Sequence, residues 1–211
     1  MTHFTHQEIF KKYKIIPVVV LNDIEKANLV TDALLAGGIN IMEITLRTPN
    51  GLGIIRKLRR DYPDMVIGAG TVLNEIQYVD AINNGAQFIV SPGISDDLIN
   101  ISKKNSIPFL PGAITPSEVI RAIDNGFNYL KYFPAEIFNG LNTIKAYSNI
   151  FPQIKFCPTG GVNLANVKEY LSLSNVCAIG CSFLVTKDII ENNKFDEITT
   201  QSIKIKSMLN E

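Results

Sequence analysis

Short apolar runs alternate with amphipathic stretches along the whole chain, and this alternation restricts the architecture more than any single motif. The apolar runs are Ile15–Leu21, Ile39–Leu46, Val66–Val72, Phe88–Ser91, Pro108–Pro111, Tyr129–Phe133, Lys155–Pro158 and Val176–Ile179. Each has the length and composition of a strand. The stretches between them carry helix-start signals. Thr115-Pro116-Ser117-Glu118 reads as a capping box with proline at the first helical position. Asn22-Asp23, Ser95-Asp96 and Asn163 are further N-cap candidates. Strands alternating with helices imply parallel βα units. Eight such units, after an N-terminal helix, predict a single (β/α)₈ TIM barrel. A doubly wound open sheet is the structural alternative. At 211 residues, 46 % of them hydrophobic, with no linker or low-complexity stretch, residues 1–211 are expected to form one α/β domain.

Acidic and basic residues balance at 20 each, which argues against a nucleic-acid or membrane-surface partner. Cys157, Cys177 and Cys181 lie in apolar stretches, an odd count without C-x-x-C spacing. They read as small buried hydrophobes of a reducing compartment. His3 and His6 fall outside the repeating pattern, so neither a histidine-based metal site nor a catalytic triad is expected. No apolar run is long enough to span a bilayer. Residues Met1 to Glu8 hold no apolar signal core, and a cytoplasmic chain is expected.

Lys131 is out of place in the run Tyr129-Leu130-Lys131-Tyr132-Phe133-Pro134. A central strand of an α/β protein is covered on both sides, and a lysine there needs a partner. Burial disfavours the ammonium form of an amine and makes the free amine accessible. Such an amine can form a Schiff base with a ketone. The alternative is an exposed edge strand. A weak internal repeat aligns Gly38–Glu43, Gly85–Val90 and Gly126–Lys131. It places Glu43, Val90 and Lys131 at one level of three strands. Side chains alternate along a strand, so Glu43, Thr45 and Arg47 share one face and point inwards, towards Lys131. A structural ion pair would explain Glu43 with Lys131, but less easily the arginine in the same file. Carboxylate, amine and guanidinium converging at strand ends form a catalytic pattern for this fold.

Gly68-Ala69-Gly70-Thr71 leaves room for a ligand where the third strand ends, with the Thr71 hydroxyl nearby. Ser91-Pro92-Gly93 and Pro111-Gly112-Ala113 read as turns. Pro158-Thr159-Gly160-Gly161-Val162-Asn163 and Ile179-Gly180-Cys181-Ser182 lead from the last two strands towards helices. In barrels these loops form the usual phosphate site.

Together, Glu43–Thr48, Gly68–Asn74, Ser91–Gly93, Lys131–Glu136 and Phe156–Gly161 resemble the family of 2-keto-3-deoxy-6-phosphogluconate and 4-hydroxy-2-oxoglutarate aldolases, in family order and over nearly the whole chain. The resemblance implies a class I aldolase on a (β/α)₈ barrel, a homotrimer without metal or other cofactor, acting on a small 2-oxo acid. By it, Lys131 is the Schiff-base lysine and Glu43 the general acid/base. Arg47, Thr71 and Thr159 would hold the keto-acid end, with Pro92 and Phe133 shaping the pocket. Gly160, Gly161 and Ser182 would hold the distal phosphate. Members carry two glycines before that serine, where this chain has Gly180 and Cys181. A cysteine is strained there if the position needs a positive φ. Weaker phosphate binding, and a substrate without phosphate, are then expected. Phe183, where tryptophan is common, reads as a packing change. The implied substrates are 2-keto-3-deoxy-6-phosphogluconate, its phosphogalactonate counterpart and 4-hydroxy-2-oxoglutarate. A phosphosugar isomerase or epimerase, or a non-catalytic binder of a phosphorylated metabolite, are the other readings.

Overall fold

The alternating pattern becomes eight strands and ten helices among residues 6–209, which the computed structural model describes. The strands are β1 (Ile15–Val19), β2 (Ile41–Thr45), β3 (Val66–Gly70), β4 (Ile89–Val90), β5 (Phe109–Leu110), β6 (Tyr129–Tyr132), β7 (Lys155–Pro158) and β8 (Ile179–Cys181). Helix α1 (His6–Phe10) precedes β1. Helices α2 (Ile24–Ala36), α3 (Gly51–Asp61), α4 (Glu75–Asn83), α5 (Asp96–Lys103), α6 (Pro116–Asp124), α7 (Gly140–Ile150) and α8 (Val167–Ser172) follow β1 to β7 in turn. Helices α9 (Lys187–Glu191) and α10 (Phe195–Leu209) follow β8. His6 opens α1, and His3 lies outside the described residues.

All the strand pairs are parallel. Six strands form one curled sheet in the order β5-β4-β3-β2-β1-β8, while β6 and β7 pair with each other. The first and last strands lie side by side, with Ile15 opposite Ile179 and Pro17 opposite Cys181. Isolated parallel bridges join the margins of the two sheets: Gly112 with Lys131, Phe156 with Val176, and Thr159 with Gly180.

Local chemistry explains several helix starts. Asp23 accepts from the Glu25 and Lys26 amides to open α2, and Ser95 accepts from Leu98 to open α5. Thr115 and Glu118 close the capping box at α6. Asn163 does not start α8. Its side chain accepts from the Ala165 amide in the preceding turn, and Asn166 stands at the N-cap. The run Val176–Ile179 overlaps β8 only at Ile179. Cys177 still bonds back to Phe156, and the bond to the β1 side begins where the Ile179 N–H donates to Lys14. Apolar content alone cannot tell which neighbour a strand pairs with.

Every residue of β1, β2 and β3 is buried, as a parallel sheet covered on both faces requires. Outside, α3 lays Ile54, Ile55 and Leu58 against it. Inside, the Phe10 ring of α1 packs edge-on to Phe88 at 6.2 Å and beside Tyr129 at 6.0 Å. Both partners stand at strand starts, so α1 seals the N-terminal end and leaves the opposite end for chemistry. No helix among the described residues is long and apolar enough to cross a membrane.

Candidate active site

Lys131 is the third residue of β6, opposite Cys157 of β7 on one side and bridged to Gly112 on the other. It is therefore not on an edge, and only 2 % of it is exposed. Its Nζ lies 3.4 Å from Oε1 of Glu43, which is 3 % exposed in the middle of β2. Residues opposite each other in a ladder point the same way, so Glu43 shares its face with Val18 of β1 and Gly68 of β3. Taking two charges out of water costs much of what their attraction returns. An apolar pair would serve stability as well, so the pair is better explained by chemistry. The Phe133 ring lies 5.2 Å from the ammonium and adds a cation–π contact. Burial pushes the neighbouring Cys157 thiol up to about 12, so it stays neutral beside the pair. All three cysteines are free and buried.

The glycines of β3 serve the protein itself rather than leaving room for a ligand. A Cβ on Gly70 would lie 1.9 Å from Oε1 of Glu43, and one on Gly68 would lie 2.3 Å from the Phe88 ring. Gly70 thus holds open the space that the carboxylate fills. Ladder pairing continues Glu43–Gly68 with Thr45–Gly70, while Ala69 pairs with Ile89. Val90 therefore shares the inward face but falls in the row of Thr45, two residues beyond Glu43. Thr45 is fully buried, and its hydroxyl has no hydrogen-bond partner among the described residues.

Arg47 lies beyond the strand rather than on it. The strand ends at Thr45, and Arg47 sits exposed in the following turn. Its Nε donates to Thr71 Oγ1 at 3.0 Å. Thr71 has φ 58°, a left-handed conformation that a β-branched residue adopts only under strain. Strain of this kind costs on the order of 1–3 kcal/mol and clusters at functional sites.

Pro92 packs its carbonyl against Gly112, where an added Cβ would come within 2.1 Å of it. Pro92 also lines a small cavity of about 290 Å³ with Leu73 and Leu98. Thr159 is buried at the end of β7 and donates to the Cys157 carbonyl at 3.3 Å. Gly180 makes that position possible, since its Cβ would meet Thr159 Oγ1 at 2.2 Å. Gly160 and Gly161 have φ of 91° and 85°, which turn the chain away from β7. Gly160 lies against the Phe133 ring, linking this loop to the lysine. Ser182 follows β8 on the exposed rim and lines a larger cavity of about 670 Å³ with Val18, Val20 and Lys187. Cys181 is the last residue of β8, opposite Pro17, and is not among the positive-φ residues. The expected strain at that position is therefore absent, because the residue belongs to the ladder rather than the loop.

One contact was not legible from sequence. The Tyr170 hydroxyl of α8 donates to Glu136 Oε1 at 2.5 Å, and the Glu136 side chain packs against Gly161. Burial, and then the Glu136 hydrogen bond, push the Tyr170 phenol up. Glu136 sits within the Lys131–Glu136 motif, but nothing in the spacing announces a partner 34 residues away.

A curled parallel α/β sheet that buries a lysine against a glutamate is an arrangement suited to an enzyme. The KDPG and KHG aldolase family matches residues 6–201, and the chain belongs to that family. It is 42 % identical over 193 residues to the 2-dehydro-3-deoxy-phosphogluconate aldolase of Pseudoalteromonas atlantica, covering 92 % of this chain and 90 % of that protein. It is 40 % identical over 185 residues to the KHG/KDPG aldolase of Escherichia coli, covering 88 % and 87 %. Among solved structures, KDPG aldolase from Legionella pneumophila, with pyruvate captured as a covalent carbinolamine, superposes with a TM-score of 0.93. The sequences are 39 % identical over 95 % of this chain and 98 % of that one.

Proposed function

We propose that this protein is a class I aldolase that cleaves 2-keto-3-deoxy-6-phosphogluconate to pyruvate and glyceraldehyde 3-phosphate. The same chemistry would cleave 4-hydroxy-2-oxoglutarate to pyruvate and glyoxylate. The observation that carries this reading is the 3.4 Å contact between two nearly sealed side chains, Lys131 and Glu43.

The free amine of Lys131 attacks the C2 ketone to give a carbinolamine. Loss of water leaves a protonated Schiff base, which withdraws electrons from the C3–C4 bond. Glu43, directly or through a water, takes the proton of the C4 hydroxyl. The C3–C4 bond breaks and the C4 oxygen becomes the carbonyl of the departing aldehyde. The electron pair stays as an enamine. Protonation at C3 and hydrolysis release pyruvate and regenerate Lys131. Arg47, poised by Thr71, fixes the substrate carboxylate, and Thr159 borders the same end. Phe133 and Pro92 wall the pocket. Gly160, Gly161 and Ser182 receive the phosphate. The covalent iminium is itself the electron sink of the cleavage step.

We further take the two sheets as one closed eight-stranded barrel spanning a single domain. The three bridges between their margins support this. A cytoplasmic homotrimer completes the reading. A three-fold interface needs two different patches on each copy. Exposed apolar residues Leu73 and Ile76 near α4, and Ile137 and Phe138 after β6, are suited to that role.

Pyruvate release tests the proposal. Wild type should release pyruvate from 2-keto-3-deoxy-6-phosphogluconate, and Lys131→Ala should release none. Equal rates, or no release by wild type, would contradict it.

A further inference from the structure

We propose that Lys187 is a specificity-determining cation that recognises the terminal phosphate of the substrate from the cavity between β1 and α9; this rests on the aldolase reading above. The cavity opens on the face of the sheet that carries Glu43. Val18 stands beside Glu43 in the ladder and lines the cavity. Ile16 pairs with Gly180 and Pro17 with Cys181, so the next residue, Ser182, continues on the side of Val18. Ser182 lines the same cavity. A substrate anchored at Lys131 and extending towards Ser182 therefore enters it.

Four charged residues line this space: Asp23, Lys26, Lys187 and Glu191. Two of them are committed elsewhere. Asp23 caps α2, and the Lys26 ammonium donates to the Ile190 carbonyl at 2.7 Å. Lys187 and Glu191 face each other at 3.5 Å with side chains 85 % and 62 % exposed. Three facts weaken that pair. Exposed ion pairs contribute little. A lysine four residues before a glutamate is the poorer order on a helix. Lys187 is also the first residue of α9, where the helix field favours an anion. A charge set against local preference without structural gain points to function. The ammonium can leave Glu191 at little cost. Gly160, Gly161 and Ser182 offer a phosphate N–H and O–H donors but no countercharge, and Lys187 supplies one.

The test compares KM for 2-keto-3-deoxy-6-phosphogluconate and for 4-hydroxy-2-oxoglutarate, together with inhibition by inorganic phosphate. In Lys187→Ala the ratio of the two KM values should rise about fivefold, the upper range of an exposed charge contact. Phosphate inhibition should weaken by a similar factor. Lys187→Arg should hold the ratio within about twofold of wild type, and the Lys187→Ala effect should shrink at high salt. An unchanged ratio and unchanged phosphate inhibition in Lys187→Ala would overturn the proposal while leaving the aldolase reading intact. A wild type that releases pyruvate from neither substrate would instead sink the aldolase reading, and this inference with it.

Discussion

Lys131 and Glu43 meet inside the sheet from strands 88 residues apart, each nearly sealed from water, whereas Ser182 and Lys187 stand exposed on the rim within one short segment. The interior pair is fixed by ladder register. Its two ladder partners, Val18 of β1 and Gly68 of β3, settle where Glu43 points, and the bridge to Gly112 settles Lys131. The rim is fixed by loop geometry and by exposed charges that can move. In the mechanism we propose, bond breaking sits where the fold leaves no freedom, and choice of the aldehyde half sits where small changes are tolerated.

Substitutions in the two regions should accordingly differ in size and in the constant they change. Glu43→Gln should lower kcat for cleavage by about 10²–10⁴-fold while pyruvate still forms its imine. Steady-state cleavage set against imine formation separates these effects, and a variant that cleaves at the normal rate would remove Glu43 from the mechanism. Gly70→Ala should cost about 10²-fold in kcat, because the new Cβ must displace the carboxylate. Near-normal kcat would mean that the position of Glu43 is not critical. Arg47→Lys should raise KM for the 2-oxo acid about tenfold with a smaller change in kcat, since lysine lacks the Nε–H that now meets Thr71. Equal KM values would separate Arg47 from the keto-acid end. The smallest effect belongs to the rim, in the roughly fivefold KM ratio expected for Lys187→Ala.

The same contrast explains what could be read from the sequence. Lys131 and Glu43 are legible because Lys131 puts a charge inside an apolar strand and Glu43 keeps the two-residue period that fixes its face. The capping box at Thr115 was legible because all of its bonds are local. Arg47 reads as a strand residue in the file of Glu43 but stands in the turn beyond Thr45, since periodicity does not show where a ladder stops. Strain is expected at Cys181 because the family resemblance puts a glycine there, yet Cys181 belongs to the β8 ladder. In the structure Gly180 makes room for Thr159, a contact across strands that no local pattern records. Gly70 and the Glu136–Tyr170 contact were hidden for the same reason: each depends on a neighbour brought close only by the fold.

The central claim is that the buried Lys131 amine is the nucleophile. Borohydride reduction of the wild-type protein in the presence of pyruvate, followed by peptide mapping, tests it most directly. A stable adduct on Lys131, lost in Lys131→Ala, is the predicted result. No adduct, or one on another lysine, would contradict the account.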